Sequence, residues 1–203
     1  MKNLIFNLLI AVFIITSCGG GGGSDRLTLD VSNFNSLSVN EDDTYVTVIS
    51  AQTNQPTNIT FSITSPPSNA TAEISNSGNL SFIPDPNYFG TDNFVISVSA
   101  SATSDPTKTV QKNLNVSATV NAVNDAPVAN ATSSVTSEDQ SVIVILSGSD
   151  VDGDNLTFSL DSNASNGSVT LNGSVAMYIP AVNYFGDDSF SFSVSDGIES
   201  SSA

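Results

Sequence analysis

The stretch Asp150-Val151-Asp152-Gly153-Asp154 sets three carboxylates at alternate positions around a glycine. Like charges this close repel by ~1 kcal/mol per pair even in bulk water, so the cluster needs a reason. Three kinds of chemistry suit it. Paired carboxylates carry out glycoside hydrolysis, converging carboxylate oxygens hold a hard cation, and Asp with Gly builds plain solvated turns that bind nothing. The hydrolytic reading is the weakest, because the acids sit in turn-like stretches with no aromatic-lined cleft to hold a sugar.

The composition narrows the field. The chain has 203 residues with 20 acids against four bases, a formal charge of -16, no His and a single Cys. General-base and nucleophilic catalysis rest mostly on His, a reactive Cys or an activated Lys, so the expectation is that this is not an enzyme. Nucleic acid is excluded as a partner, since Lys2, Arg26, Lys108 and Lys112 cannot neutralise a phosphate backbone. At 39% hydrophobic and 12% charged residues the chain can bury a core. Its abundance of Ser, Thr, Asn, Val and Ile favours short strands joined by polar turns.

The opening segment MKNLIFNLLIAVFIITSCGGGGGSD carries Lys2, an apolar run from Leu4 to Ile15 and a close on Thr16-Ser17-Cys18. This is the pattern of a secretory signal over residues 1–17, with an apolar run shorter than the ~20 residues of a membrane span. Ile15-Thr16-Ser17-Cys18 resembles the lipobox of bacterial lipoproteins, which implies cleavage before Cys18, lipidation of Cys18 and anchoring in a membrane through that lipid. Residues 18–24 then form the acylated Cys and a Gly-rich tether of roughly 13 Å root-mean-square length. Without Asp after Cys18, the same resemblance implies the bacterial outer membrane or cell surface.

Self-similarity is the strongest signal in the chain. IPDPNYFGTDNFVISVS (83–99) matches IPAVNYFGDDSFSFSVS (179–195) at an offset of 96, and NITFSI (58–63) matches NLTFSL (155–160) at 97. Two copies of one domain follow, 25–123 and 124–203. Within each, runs such as Leu156-Phe158-Leu160 and Leu114-Val116-Ala118-Val120 alternate apolar with polar residues, the period of half-buried antiparallel strands. About seven short strands per copy fit a Greek-key sandwich. The second copy stops at SVSDGIESSSA with nothing to match the last strand of the first, near Thr109 to Val120. The predicted class is therefore all-β, with tandem Greek-key sandwiches of which the second lacks its last strand, as in a fragment of a longer array.

The combination NDAP, DVDGDNLTFSL and YIPAVNYFGDDSFSFSVSDG, in this order, resembles the bacterial cadherin-like, immunoglobulin-like tandem repeat over nearly all of residues 25–203. In an up-and-down alternation of strands, the B–C turn with Asp150 to Asp154, the F–G turn with Asp196 and the linker Asn124-Asp125 share one end of the second copy. Glu41, in the A–B region of the first copy, is expected to face that end. So many oxygens without a base call for a divalent cation, and the resemblance implies Ca2+ at the junction. Its implied ligands are Glu41, Asn124, Asp125, Asp150, Asp152 and Asp196, with Asp154 as a further candidate. An EF-hand is rejected, because the sixth and twelfth loop positions hold Asn155 and Asp161. A solvated acidic turn without an ion remains the bland alternative.

The first copy is an internal control. Thr53, Gln55 and Thr57 stand where the second has Asp150, Asp152 and Asp154, and Ala100 stands for Asp196, so no cation site is expected there. In the shared Asn-Tyr-Phe-Gly segment, Tyr88 and Tyr184 are expected to bond backbone through their hydroxyls, Phe89 and Phe185 to pack into the core, and Gly90 and Gly186 to supply a positive-φ turn. The function implied is a surface-anchored adhesion module or rigid spacer, with other surface proteins or polysaccharide as partners. The alternatives are a carbohydrate-binding module, for which the absence of Trp offers little, and the non-catalytic stalk of a larger surface enzyme.

Overall fold

The computed structural model describes residues 26–203; the expected signal segment, Cys18 and the expected Gly-rich tether lie outside the described residues. The chain divides into two compact units, the first ending at Val123 and the second spanning Asn124–Ala203. Among the described residues every regular element is a strand and no helix is long and apolar enough to cross a membrane.

The first unit contains β1 (Leu29–Val31), β2 (Ser36–Asn40), β3 (Tyr45–Val48), β4 (Ala51–Thr53), β5 (Thr57–Ser65), β6 (Ala70–Ile74), β7 (Asn79–Pro84), β8 (Gly90–Ala102) and β9 (Thr109–Asn121). One sheet runs β2-β9-β8-β5 and the other β3-β7-β6, with β1 and β4 paired at the side. All pairings are antiparallel except β2 with β9, which run parallel. The alternation read from the sequence is the cause: Leu114, Val116, Ala118 and Val120 of β9 and Phe94, Ile96 and Val98 of β8 turn inward to a core that includes Phe82 and Leu80. Phe82 and Phe94 stack at 5.6 Å. Burying each such aromatic ring stabilises by roughly 1.5–3 kcal/mol.

The second unit repeats the plan with β10 (Val128–Asn130), β11 (Val142–Ile145), β12 (Ser147–Ser149), β13 (Thr157–Ser162), β14 (Gly167–Asn172), β15 (Val175–Pro180), β16 (Ser191–Ser195) and β17 (Ser200–Ser202). Its sheets are β11-β15-β14 and β13-β16-β17, with β10 and β12 as the side pair. Even the irregularity is copied: the register of β5 on β8 shifts between Ile63 and Ser65, and that of β13 on β16 between Leu160 and Ser162. The second copy, expected to lack its last strand, has a short one. A remnant, β17, pairs Ser200–Ser202 with Ser193–Ser195, whereas β9 spans the whole of β8 from Gly90 to Ser101. Residues 133–137, the counterpart of β2, form no strand.

The aromatic corner is half as expected. Tyr88 donates its hydroxyl to the Thr91 carbonyl at 3.0 Å and Tyr184 to that of Asp187 at 2.6 Å. Gly90 and Gly186 take φ of 137° and 131°, a region closed to residues with a Cβ. Phe89 and Phe185 do not pack into the core, for they are 55% and 85% exposed. In the first repeat it is the neighbouring Tyr88 that packs against the core, and both Phe residues lie in irregular backbone just after a turn.

Candidate metal centre

The loop between β12 and β13 folds around its first acid. Asp150 Oδ1 accepts the backbone N–H groups of Asp152, Gly153 and Asp154 at 2.9, 3.1 and 3.3 Å. Gly153 makes this possible with a φ of 81°, which costs little without a Cβ. Turning the loop on Asp150 brings one carboxylate oxygen from each of Asp150, Asp152 and Asp154 within 4.8 Å of one another.

Two further segments of the same unit close on this loop. The backbone N–H of Asp125 donates to Asp152 Oδ2 at 2.8 Å, tying the linker to the acidic turn. Asn124 donates its side-chain amide to Asp196 Oδ2 at 2.8 Å and to the carbonyl of Asp125 at 3.2 Å. Asp196, in the turn between β16 and β17, accepts the N–H groups of Ile198 and Glu199 through Oδ1, both at 2.6 Å. The amide of Asn124, then those backbone donors, hold the Asp196 carboxyl below the ordinary carboxylate range. Asn124, Asp125, Asp150, Asp152, Asp154 and Asp196 thus belong to one end of the second unit, where the strand alternation put them.

One atom of the loop is left without a partner. Asp150 Oδ2 is buried and has no hydrogen-bond partner, and such orphaned acceptors are rare because they lose water without replacement. A hard cation bonded to that oxygen removes the deficit and offsets the repulsion among the three acids. The donor set, carboxylates with an amide oxygen from Asn124, suits Ca2+, which takes six to eight oxygens in flexible geometry.

Glu41 belongs to the first unit. It is 2% exposed, its Oε1 accepts the Val123 N–H at 2.7 Å, its own N–H bonds the Asn121 carbonyl at 3.0 Å, and its Oε2 is buried without a partner. The acidic loop of the second unit has no equivalent in the first. There, Thr53 Oγ1 bonds the Gln55 carbonyl at 2.8 Å and the Thr57 hydroxyl at 2.9 Å, a neutral network with no cluster of charge.

Sequence reasoning gave no role to a second pair of acids, Asp92 and Asp188. Asp92 accepts the N–H groups of Ser68, Asn69 and Asn93 at 3.1, 2.7 and 2.8 Å. Asp188 does the same for Ser165, Asn166 and Ser189 at 3.0, 2.9 and 3.0 Å, and adds the Tyr178 hydroxyl at 3.0 Å. Desolvation pushes the Asp188 carboxyl up, but these four donors outweigh it and hold the group below its usual range. Burial, then the bond to Asp188, pushes the Tyr178 phenol up. These acids clamp loops, and their repetition at an offset of 96 was the signal for them.

Comparison with known proteins agrees with the architecture. The profile of the bacterial Ig domain matches residues 25–113 and again 124–203. No curated protein matches the sequence significantly. Among solved structures, the extracellular cadherin domains 1–5 of protocadherin gamma B2 align over 88% of this chain and 38% of their own, at 15% identity and a TM-score of 0.50. Mouse cadherin-23 domains EC22–24 align over 86% of this chain and 64% of theirs, at 13% identity and a TM-score of 0.47. An endo-fucoidan hydrolase of glycoside hydrolase family 107 aligns over 94% of this chain, at 20% identity and a TM-score of 0.39, and this chain spans 30% of its length. Both units being matched along most of their length, the chain belongs to the bacterial Ig domain family, which it carries twice in tandem.

Proposed function

We propose that the chain is a surface-displayed adhesion module or rigid spacer whose second repeat binds Ca2+ at its amino-terminal end. The observation that carries this reading is the buried, unpartnered Oδ2 of Asp150 inside a loop that gathers Asp152 and Asp154. Asp150, Asp152 and Asp154 supply charged oxygens, and Asn124, Asp125 and Asp196 complete the set from the linker and the β16–β17 turn. The ion supplies the positive charge that three neighbouring carboxylates lack, and so fixes the linker residues Asn124 and Asp125 against the loops of repeat 2. Glu41 in repeat 1 gives the same kind of signal, a buried Oε2 without a partner, and is proposed as a cation ligand on that ground. Anchorage through lipid on Cys18 at the bacterial cell surface completes the proposal, with surface proteins or polysaccharide as partners.

Calorimetric titration of residues 25–203 with Ca2+ tests it. Binding is expected with a Kd of about 10⁻⁴ to 10⁻³ M, the range of extracellular modules. The D150N/D152N variant is expected to lose the heat of the repeat 2 site. Absence of heat from the parent up to ~10 mM, well above that range, leaves the acidic turn as solvated surface and rejects the reading.

A further inference from the structure

Strand β5 of repeat 1 is an open edge that nothing in its sequence guards. It closes one side of the sheet β2-β9-β8-β5, and among the described residues it pairs with β8 alone and makes no backbone bond on its other side. Unpaired N–H and C=O groups along such an edge are a template for another strand, and proteins usually blunt them with charge, Pro or a bulge. β5 runs for nine residues, Thr-Asn-Ile-Thr-Phe-Ser-Ile-Thr-Ser, without a charge, a Pro or a Gly. In a chain of net charge -16, the whole stretch 44–72 holds no charged residue, and the prolines Pro56 and Pro66 stand outside the strand. Its one irregularity falls late, between Ile63 and Ser65.

The strand is also a palindrome in residue type. Counting outward from Phe61, Thr60 answers to Ser62, Ile59 to Ile63, Asn58 to Thr64 and Thr57 to Ser65. Asn58, Thr60, Ser62 and Thr64 are exposed, whereas Ile59, Phe61 and Ile63 pack against the first core and are only partly buried. An antiparallel pairing of two such strands centred on Phe61 sets hydroxyl against hydroxyl on the outer face. On the inner face it brings Phe61 and both isoleucines of each copy together along the open rim of the core, the kind of cross-strand pair that stabilises sheets. Repeat 2 holds the same strand in guarded form. Asp161 stands where repeat 1 has Thr64, and the acidic loop ends at Asp154, just before Asn155. Two copies of β13 centred on Phe158 would crowd Asp154 and Asp161 of both chains together.

We infer that β5 pairs with β5 of a second copy of this chain, antiparallel about a two-fold axis at Phe61, so that two four-stranded sheets become one. The palindrome is what selects a second copy as occupant: the same strand supplies the matching residue class at every position, and an isologous contact uses that edge twice and stops at the dimer. Backbone bonds give the pairing its affinity and the alternate side chains its register. One strand pair covers well below the ~1,200 Å² of a stable interface, so the dimer is weak. The acids elsewhere on the two chains repel at long range, so it tightens as salt screens them. The pairing depends neither on the cation nor on surface anchorage.

The test follows residues 25–203, which hold every strand, by sedimentation and NMR as the concentration rises to ~1 mM, the weak end of the affinity scale. A monomer–dimer equilibrium is expected, with concentration-dependent shifts confined to Thr57–Ser65 and the β8 residues paired with them, and with tighter association at higher salt. T60K/S62K places like charges opposite one another across the axis and is expected to stay monomeric, as is T60E/S62E. Both positions are exposed, so the fold tolerates either pair of changes. Mixing the two variants sets opposite charges face to face and is expected to restore the dimer. A parent chain that stays monomeric overturns the inference, as does association that weakens with salt. Shifts centred on β13 or elsewhere overturn it too, and so do variants that dimerise separately or fail to dimerise when mixed.

Discussion

The two repeats share a plan down to a register shift, yet they differ at both ends of the fold. Repeat 1 has a neutral loop built on Thr53, Gln55 and Thr57 and a β9 that spans its neighbour; repeat 2 has the acidic loop and the remnant β17. One architecture therefore carries either a charged or a neutral B–C loop, because that loop supplies none of the core of β5 to β8 and β13 to β16. Glu41 and Glu138 show the coupling of strand and side chain. Glu41 follows a paired β2 and is buried, whereas Glu138 follows an unpaired segment and is exposed.

The comparison breaks most visibly at the core. Phe94→Ala is expected to cost repeat 1 about 3–5 kcal/mol, the usual range for a buried Phe, while Phe190→Ala costs repeat 2 markedly less. Amide exchange read separately in each repeat measures both, and equal losses would show that the longer pairing of β9 adds nothing to the burial of Phe94. Next in size is the cation. Ca2+ at a hundred times its Kd is expected to stabilise repeat 2 by about 2.7 kcal/mol, with the neutral Thr53–Thr57 loop of repeat 1 unaffected.

A smaller effect separates the two loops by backbone. Gly153→Ala forces a Cβ onto a φ of 81°, with an expected loss of about 1–2 kcal/mol and weaker Ca2+ binding. Pro56→Ala, at the matching position of repeat 1, is expected to change stability by about 1 kcal/mol or less through the unfolded chain. Chemical denaturation of both variants sharpens the contrast.

Acid adds a further test. The Asp188 carboxyl is held below its usual range in the folded state, so its contribution is fully present above the unfolded pKa of about 3.9 and is lost as pH falls through the folded value. Thermal midpoints between neutral pH and strong acid are expected to fall less steeply for D188N than for the parent. Thr53→Ala closes the series, with no change expected in Ca2+ heat.

Much of this was legible in the sequence, because its signals are local. Alternation gave the strands, and the offset of 96 gave the repeat. The Tyr88 and Tyr184 hydroxyls reach backbone only three residues on, so the corner could be read from one short segment. Phe89 and Phe185 were misread because four consecutive residues do not say which of two neighbouring rings turns inward. For Asp92 and Asp188 the repetition at an offset of 96 marked the positions but not their role, because they reach donors more than twenty residues away. Likewise, nothing in Glu41-Asp42-Asp43 says that Glu41 alone is enclosed, since its partner Val123 lies 82 positions along the chain.

The central claim is that Ca2+ is held by the acidic loop of repeat 2. The most direct measurement is an NMR titration with Ca2+ that follows every backbone amide. Coincident, saturable shifts at Asp150–Asp154, Asn124, Asp125, Ile198 and Glu199, with Thr53 to Thr57 unmoved, are the predicted result. Shifts spread evenly over acidic surface in both repeats, or none in the Asp150 loop, contradict it.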